Sequence, residues 1–96
     1  MYREFFLEII NMILNQEKSF EQLNSIFLNN VNCEEIYDMD DNLISDVYFA
    51  LKHHLSGEEN IDDREFQYFK ECLKNERIYN LEEKLSIIIE QPFSQT

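Results

Sequence analysis

Apolar residues return every three or four positions along most of this chain, and strict alternation with polar residues never lasts, so the pattern predicts helices. In the first segment Tyr2, Phe5, Phe6, Ile9, Ile10, Ile13 and Leu14 form one stripe, with Glu4, Glu8, Asn11 and Asn15 facing out. A second helix opens at Ser19, because Ser19-Phe20-Glu21-Gln22 has capping-box spacing. Phe20, Leu23, Ile26 and Phe27, with Val31, give its expected buried face, and the turn-favouring run from Asn29 to Asn32 ends it. Asn32 to Glu35 suits the cap of a short helical turn around Ile36 and Tyr37.

Asp40 or Asp41 caps a third helix, whose stripe is Leu43, Ile44, Val47, Tyr48, Leu51 and Leu55, and Gly57 stops it at the C′ position. The composition of Val47 to Leu51 suits a strand, but the stripe continues at helical spacing on both sides. Asp62 with Glu65 three residues on reads as another capping box, with Ile61 stapled to Phe66 across the first turn. Phe66, Phe69 and Leu73 continue that face, with Cys72 at its edge. A last helix begins at Asn80 with Glu83 at N3, is expected to bury Leu81, Leu85, Ile88 and Ile89, and ends at Pro92. The expectation is an all-α fold: an antiparallel bundle of four to five short helices in a single domain over residues 1–96, with a frayed tail from about residue 91.

Charge changes this picture from a generic bundle to a polarised one. Between Val31 and Glu65 stand eleven acidic residues and two basic ones, Lys52 and Arg64, a formal −9 of the chain's −12. Such concentration strains a small domain by self-repulsion, so it either serves solubility or docks on something basic. It argues against direct binding to nucleic acid, where Lys and Arg neutralise phosphates, and against an anionic membrane surface. No basic leader followed by an apolar run opens the sequence, and no apolar run is long enough to span a bilayer. Cys33 and Cys72 read as reduced thiols of a cytoplasmic protein.

Chemistry is sparse. Asp38-Met39-Asp40-Asp41-Asn42 starts like a calcium loop, but Leu43 stands where glycine is needed and Phe49 where a bidentate Glu is needed. His53 and His54 are adjacent on a helix and diverge by about 100°, which is wrong for gripping one metal. His54 is expected to pack and His53 to be solvated. One glycine allows no phosphate loop, and Ser19 and Ser45 lie in no nucleophile elbow. No enzyme, metal or cofactor is expected. What remains is a surface. Glu34, Glu35, Asp38, Asp40 and Asp41 precede the third helix, and Glu58, Glu59, Asp62, Asp63 and Glu65 follow it, about 15 residues or ~22 Å apart at 1.5 Å per residue. Between them the outward face carries Ser45, Asp46, Phe49, Lys52 and His53. Phe49 either fills a gap against a neighbouring helix or anchors a partner, and Tyr37 and Tyr68 are open to similar use. The candidate partner-binding set is thus the ten acids of the two clusters with Tyr37, Asp46 and Phe49.

The order of features resembles the helical immunity proteins of bacteriocins and contact-dependent toxins, most closely the colicin D type. The resemblance lies in the amphipathic first helix, in Phe20-Glu21 and Phe27 of the second, and in Ile61-Asp62-Asp63-Arg64-Glu65-Phe66, and covers roughly Glu4 to Leu73. This chain departs in its short connection before the third helix and in the helix after Asn80, so no contact residue is carried over by family position. The resemblance implies a protein that is monomeric before binding and that occludes the basic substrate cleft of a cognate toxin, a nuclease, with carboxylates placed where phosphates would lie. Two other readings stand beside it: an acidic nucleic-acid mimic aimed at a defence nuclease or DNA-binding protein, and a helical adaptor subunit of a larger complex.

Overall fold

The computed structural model describes residues 2–93, with side chains as far as residue 87. Six helices follow one another: α1 (Arg3–Leu14), α2 (Phe20–Asn30), α3 (Cys33–Met39), α4 (Asn42–Leu55), α5 (Asp63–Leu73) and α6 (Leu81–Phe93). The all-helical class is as expected, but six helices stand where four to five were anticipated. The additional one is α3, expected only as a turn. Its N-terminus is held by the Asn32 side chain, which accepts from the backbone N–H of Glu34 at 2.8 Å and of Glu35 at 3.3 Å. Two acidic residues in its first turn suit the helix dipole.

Other start signals work locally, as their spacing implies. Ser19 and Gln22 form the reciprocal capping box of α2, and the Asp41 carboxylate accepts from the Ile44 N–H at 3.1 Å to open α4. Asp40, the other candidate, instead ends α3 in the left-handed region at φ 50°, which Asp tolerates better than most residues. Gly57, at φ 85°, follows the C-cap of α4. Asp62 does cap α5, through the Arg64 N–H at 2.7 Å. The box with Glu65 does not form, because the Glu65 side chain turns into the protein.

Helices α1, α4 and α5 touch one another and make the nucleus; α2 packs on α1 and α4, α3 on α4, and α6 on α5. The stripes of α1 and α4 meet those of α5 in one core, in which Phe6, Phe27, Phe66 and Phe69 are fully buried. Cys72, expected at the edge, lies inside, and Cys33 is exposed; both are free thiols. Arg3 ties the nucleus shut. Its guanidinium donates to the carbonyls of Leu73 at 3.0 Å and Cys72 at 3.2 Å and to Asn75 Oδ1 at 2.9 Å. A cation there suits the carbonyl end of a helix, and on the Cys72 carbonyl it adds to the bond from the Asn75 N–H at 3.1 Å.

Two faces differ from expectation. Phe20 stays half exposed over His54, with ring centroids 4.8 Å apart. On α6, Leu81 and Leu85 are exposed while Lys84 is buried. A spacing of four marks one side of a helix but not which side meets a neighbour, and α6 turns Lys84 and Ile87 inward instead. The Ile88 and Ile89 side chains, also expected inside, lie outside the described ones; α6 is assigned through Pro92 to Phe93, and 94–96 fall outside the described residues. No helix among the described residues is long and apolar enough to cross a membrane.

Candidate functional site: the acidic surface around helix α4

The 14 residues of α4 span ~21 Å at 1.5 Å per residue, and an acidic segment lies at each end. At the N-terminal end, Glu34, Asp38 and Asp40 are exposed and meet no cation within 4 Å among the described residues. Glu35 accepts a hydrogen bond from the Tyr2 hydroxyl, which itself accepts from the Asn32 N–H at 3.1 Å, so α1 positions the start of α3. That carboxylate raises the pKa of Tyr2 by favouring its protonated hydroxyl. Asp41 is occupied with its cap. Tyr37 stands out from α3 with 66% of its surface exposed, the most open aromatic side chain described.

At the C-terminal end, the segment between α4 and α5 is bound to the last turn of α4. The Gly57 N–H donates to the His54 carbonyl at 3.2 Å, the Glu59 N–H to the His53 carbonyl at 3.1 Å, and the Ile61 N–H to His54 Nδ1 at 3.0 Å. His54 is packed as expected, 4% exposed, between the rings of Phe20 and Phe66. With Nδ1 accepting, the neutral ring carries its proton on Nε2, which has no hydrogen-bond partner among the described residues. Burial lowers the His54 pKa, and Asp63 opposes that only in part. Glu58 accepts from the Ser56 hydroxyl at 3.2 Å, Glu59 lies 3.7 Å from His53, and Asp63 is exposed without a cation.

Two residues of the candidate set leave the surface. Glu65 is 9% exposed and Asp46 is partly buried, and both face Lys84, which α6 delivers with only 6% of its surface exposed. Lys84 Nζ lies 2.6 Å from Asp46 and 3.6 Å from Glu65, with the Phe69 ring centroid 5.2 Å away. Asp46 also accepts from the Tyr79 hydroxyl at 2.7 Å, and that carboxylate adds to the burial that raises the Tyr79 pKa. Burial raises the Glu65 pKa, and Lys84 pulls it back. This trio holds α6 to the nucleus; its carboxylates are structural where partner contacts were expected. No signal in the sequence links Lys84 to residues 38 and 19 positions earlier.

Phe49 lies off the core stripe as its spacing predicts, 38% exposed, edge-on to Tyr48 at 5.2 Å and 6.3 Å from His53. Tyr68, the other aromatic considered, is buried; its hydroxyl accepts from the Asn80 N–H at 2.8 Å and donates to the Asn80 carbonyl at 3.0 Å. No group of three or more His, Cys, Asp or Glu among the described residues is placed to hold a metal ion. Asp38, Asp40 and Asp41 do not converge as a calcium loop would require. Comparison with known protein families, with characterised proteins and with solved structures finds no match to this chain.

Proposed function

We propose that this protein is a cytoplasmic immunity protein, monomeric before binding, that inhibits a cognate toxin domain with a basic substrate cleft, a nuclease. Inhibition follows from occluding that cleft with the acidic surface around α4. One observation carries the reading: the ion pairs that lysine and arginine make in this fold lie elsewhere. Among the described residues Arg77, Lys74 and Lys84 pair within the α5–α6 half or at its border with α4. Glu34, Asp38, Asp40 and Asp63 keep exposed carboxylates with no cation within 4 Å among the described residues, and Glu58 meets only the Ser56 hydroxyl. A fold that neutralised its own acids would have placed cations beside them. Left free, they attract a basic partner and raise encounter rates by up to ~10³-fold.

The test is inhibition of basic nuclease toxin domains by the purified protein, with charge reversals at Glu58, Glu59 and Asp63. These reversals should slow association and flatten its salt dependence while the helical circular dichroism stays unchanged. Reversals at Glu4, Glu8 and Glu17 should do much less. Equal effects of the two sets would show that net charge alone acts and would remove the docking claim. A second reading draws on α6 and the segment before it, where Leu81 and Leu85 of the helix and Ile78 ahead of it are exposed: an adaptor that joins a larger complex through that face. Self-association of the isolated chain, lost on Leu81→Ser with Leu85→Ser, would favour it.

A further inference from the structure

His54 is buried at the end of α4, and its surroundings suit only the uncharged ring. Its Nδ1 is an acceptor, taking the Ile61 N–H at 3.0 Å in a bond that is itself buried. An imidazolium has a proton on both ring nitrogens and accepts nothing. Protonated in place, the ring would set one N–H against another and leave a charge between the rings of Phe20 and Phe66. Nε2 offers no relief, because it has no hydrogen-bond partner among the described residues. A proton taken up by the ring therefore breaks the bond that holds Ile61.

The ring has a way out. Phe20, its cover on the α2 side, is 49% exposed, whereas Phe66 on the α5 side is fully buried, so solvent is nearest past Phe20. Charge favours the same exit. Of the elements packed on the ring, α2 brings the uncharged Phe20, the segment after α4 brings an N–H, and α5 brings Phe66 and the carboxylate of Asp63. Asp63 is exposed and is the one charged group that acts on the ring among the described residues. On α4 itself, His53 lies against Glu59 instead. While the ring is inside, burial outweighs Asp63 and holds the pKa below its ordinary value; outside, that opposition is gone.

We propose that His54 is a pH-operated latch on the junction between α4 and α5: on protonation the ring leaves its seat between Phe20 and Phe66, and the Ile61 N–H loses its acceptor. The segment between the helices then keeps, near its start, the Gly57 and Glu59 bonds to the His54 and His53 carbonyls and loses its hold at the far end. The opening is local. The Arg3 clasp on the end of α5 and the packing of Phe6 and Phe69 do not depend on the imidazole, so the rest of the fold has no cause to follow. The latch stands apart from the immunity reading, which enters only in that Glu58 and Glu59 of this segment belong to the proposed docking surface.

Amide hydrogen exchange followed by NMR tests it between pH 7 and pH 5, each rate being compared with that of an unstructured peptide at the same pH. Protection at Ile61 should fall about ten-fold or more as the His54 ring titrates, and the Phe20 ring resonances should shift along the same curve. The amides of Phe6 in α1 and Phe69 in α5 should keep their protection. His54→Asn puts a side-chain oxygen where Nδ1 stood and does not titrate, so Ile61 should stay protected throughout. His53→Asn should leave the response of the parent intact. The latch is overturned if Ile61, Phe6 and Phe69 lose protection together, if Ile61 holds while His54 charges, or if His54 stays neutral to pH 5. It is equally overturned if His54→Asn opens as the parent does, and the parent's own curves decide should that variant fail to fold. Toxin inhibition at pH 7 is read separately and bears on the docking surface alone.

Discussion

Asp46 and Glu65 belong to the same acidic stretch as Asp38 and Asp63, yet the two pairs live under opposite physics. Asp38 and Asp63 are hydrated, with no cation within 4 Å among the described residues. Asp46 and Glu65 are drawn inward against a lysine that is itself buried. The difference is made by α6, which brings Lys84 across α5 to meet them. Charge in sequence is therefore not charge at a surface: of the window's eleven acids Asp46 and Glu65 are drawn in to close the fold, and Glu35, Asp41 and Asp62 are engaged in a bond to α1 and in helix caps.

Lys84→Met should break this contrast most strongly. Removing the cation leaves two partly or largely buried carboxylates unpaired, and urea melts should show a loss of about 3 kcal/mol, the low end of the range for a broken buried pair because Asp46 keeps some solvent. Asp63→Lys and Glu58→Lys should stay within about 0.5 kcal/mol of the parent, as surface changes do. If both kinds of change cost the same, the two populations are not distinct.

Phe49→Ala should come next, and on binding instead of folding. With 38% of its surface exposed, Phe49 should lose no more than about 1 kcal/mol of stability on truncation, yet weaken partner binding by ~2 kcal/mol or more. A stability loss of ~3 kcal/mol would place it in the core. Tyr79→Phe should cost about 1 kcal/mol, the usual worth of one hydrogen bond, through the lost donor to Asp46.

The pH dependence sharpens the comparison from a third group. The folded pKa of His54 lies below its ordinary 6.5, so the unfolded chain binds the extra proton first. The stability that His54 contributes is present above pH 6.5 and is lost as pH falls from there through the lower, folded value. Glu65 runs the other way: its folded pKa is raised, so its contribution is present below the ordinary carboxylate range and is lost as pH rises through the folded value. His54→Gln should flatten the fall in melting temperature between pH 7 and pH 5, and Glu65→Gln should steepen it slightly. Profiles unchanged by either substitution would show that neither group titrates differently on folding.

What the sequence displayed clearly was local. The stripes of α1 and α4 and the caps at Ser19, Asp41 and Asp62 depend on residues within a turn of one another, and each stands where its spacing placed it. Glu65 misled for an instructive reason. At N3 of a helix with an acidic cap, a glutamate has a local use, and only a lysine 19 residues later offers it a competing one. Likewise Leu81 and Leu85 announce an apolar face, but whether that face meets α5 depends on packing that no short window contains. Within the candidate site, exposure of Phe49 was legible from its position off the α4 stripe, whereas nothing in the spacing told Tyr37, which is exposed, from its buried neighbour Ile36.

The clasp of Arg3 on the end of α5 also sets a schedule for synthesis. Its acceptors lie 69 to 72 residues further along, so α1 leaves the ribosome long before its partner helix exists. At roughly 5–20 residues per second the nascent first helix waits several seconds for α5, with only α2 and α4 to pack against in the meantime. Meanwhile the strongly anionic middle of the chain emerges behind it. Stalled ribosome complexes should stay protease-sensitive until residue 75 has cleared the exit tunnel and become resistant soon after; protection at shorter lengths would show that α1 finds an earlier shelter. On that schedule the repelling middle segment becomes a built-in solubiliser, guarding the unfinished chain against its neighbours on the same message.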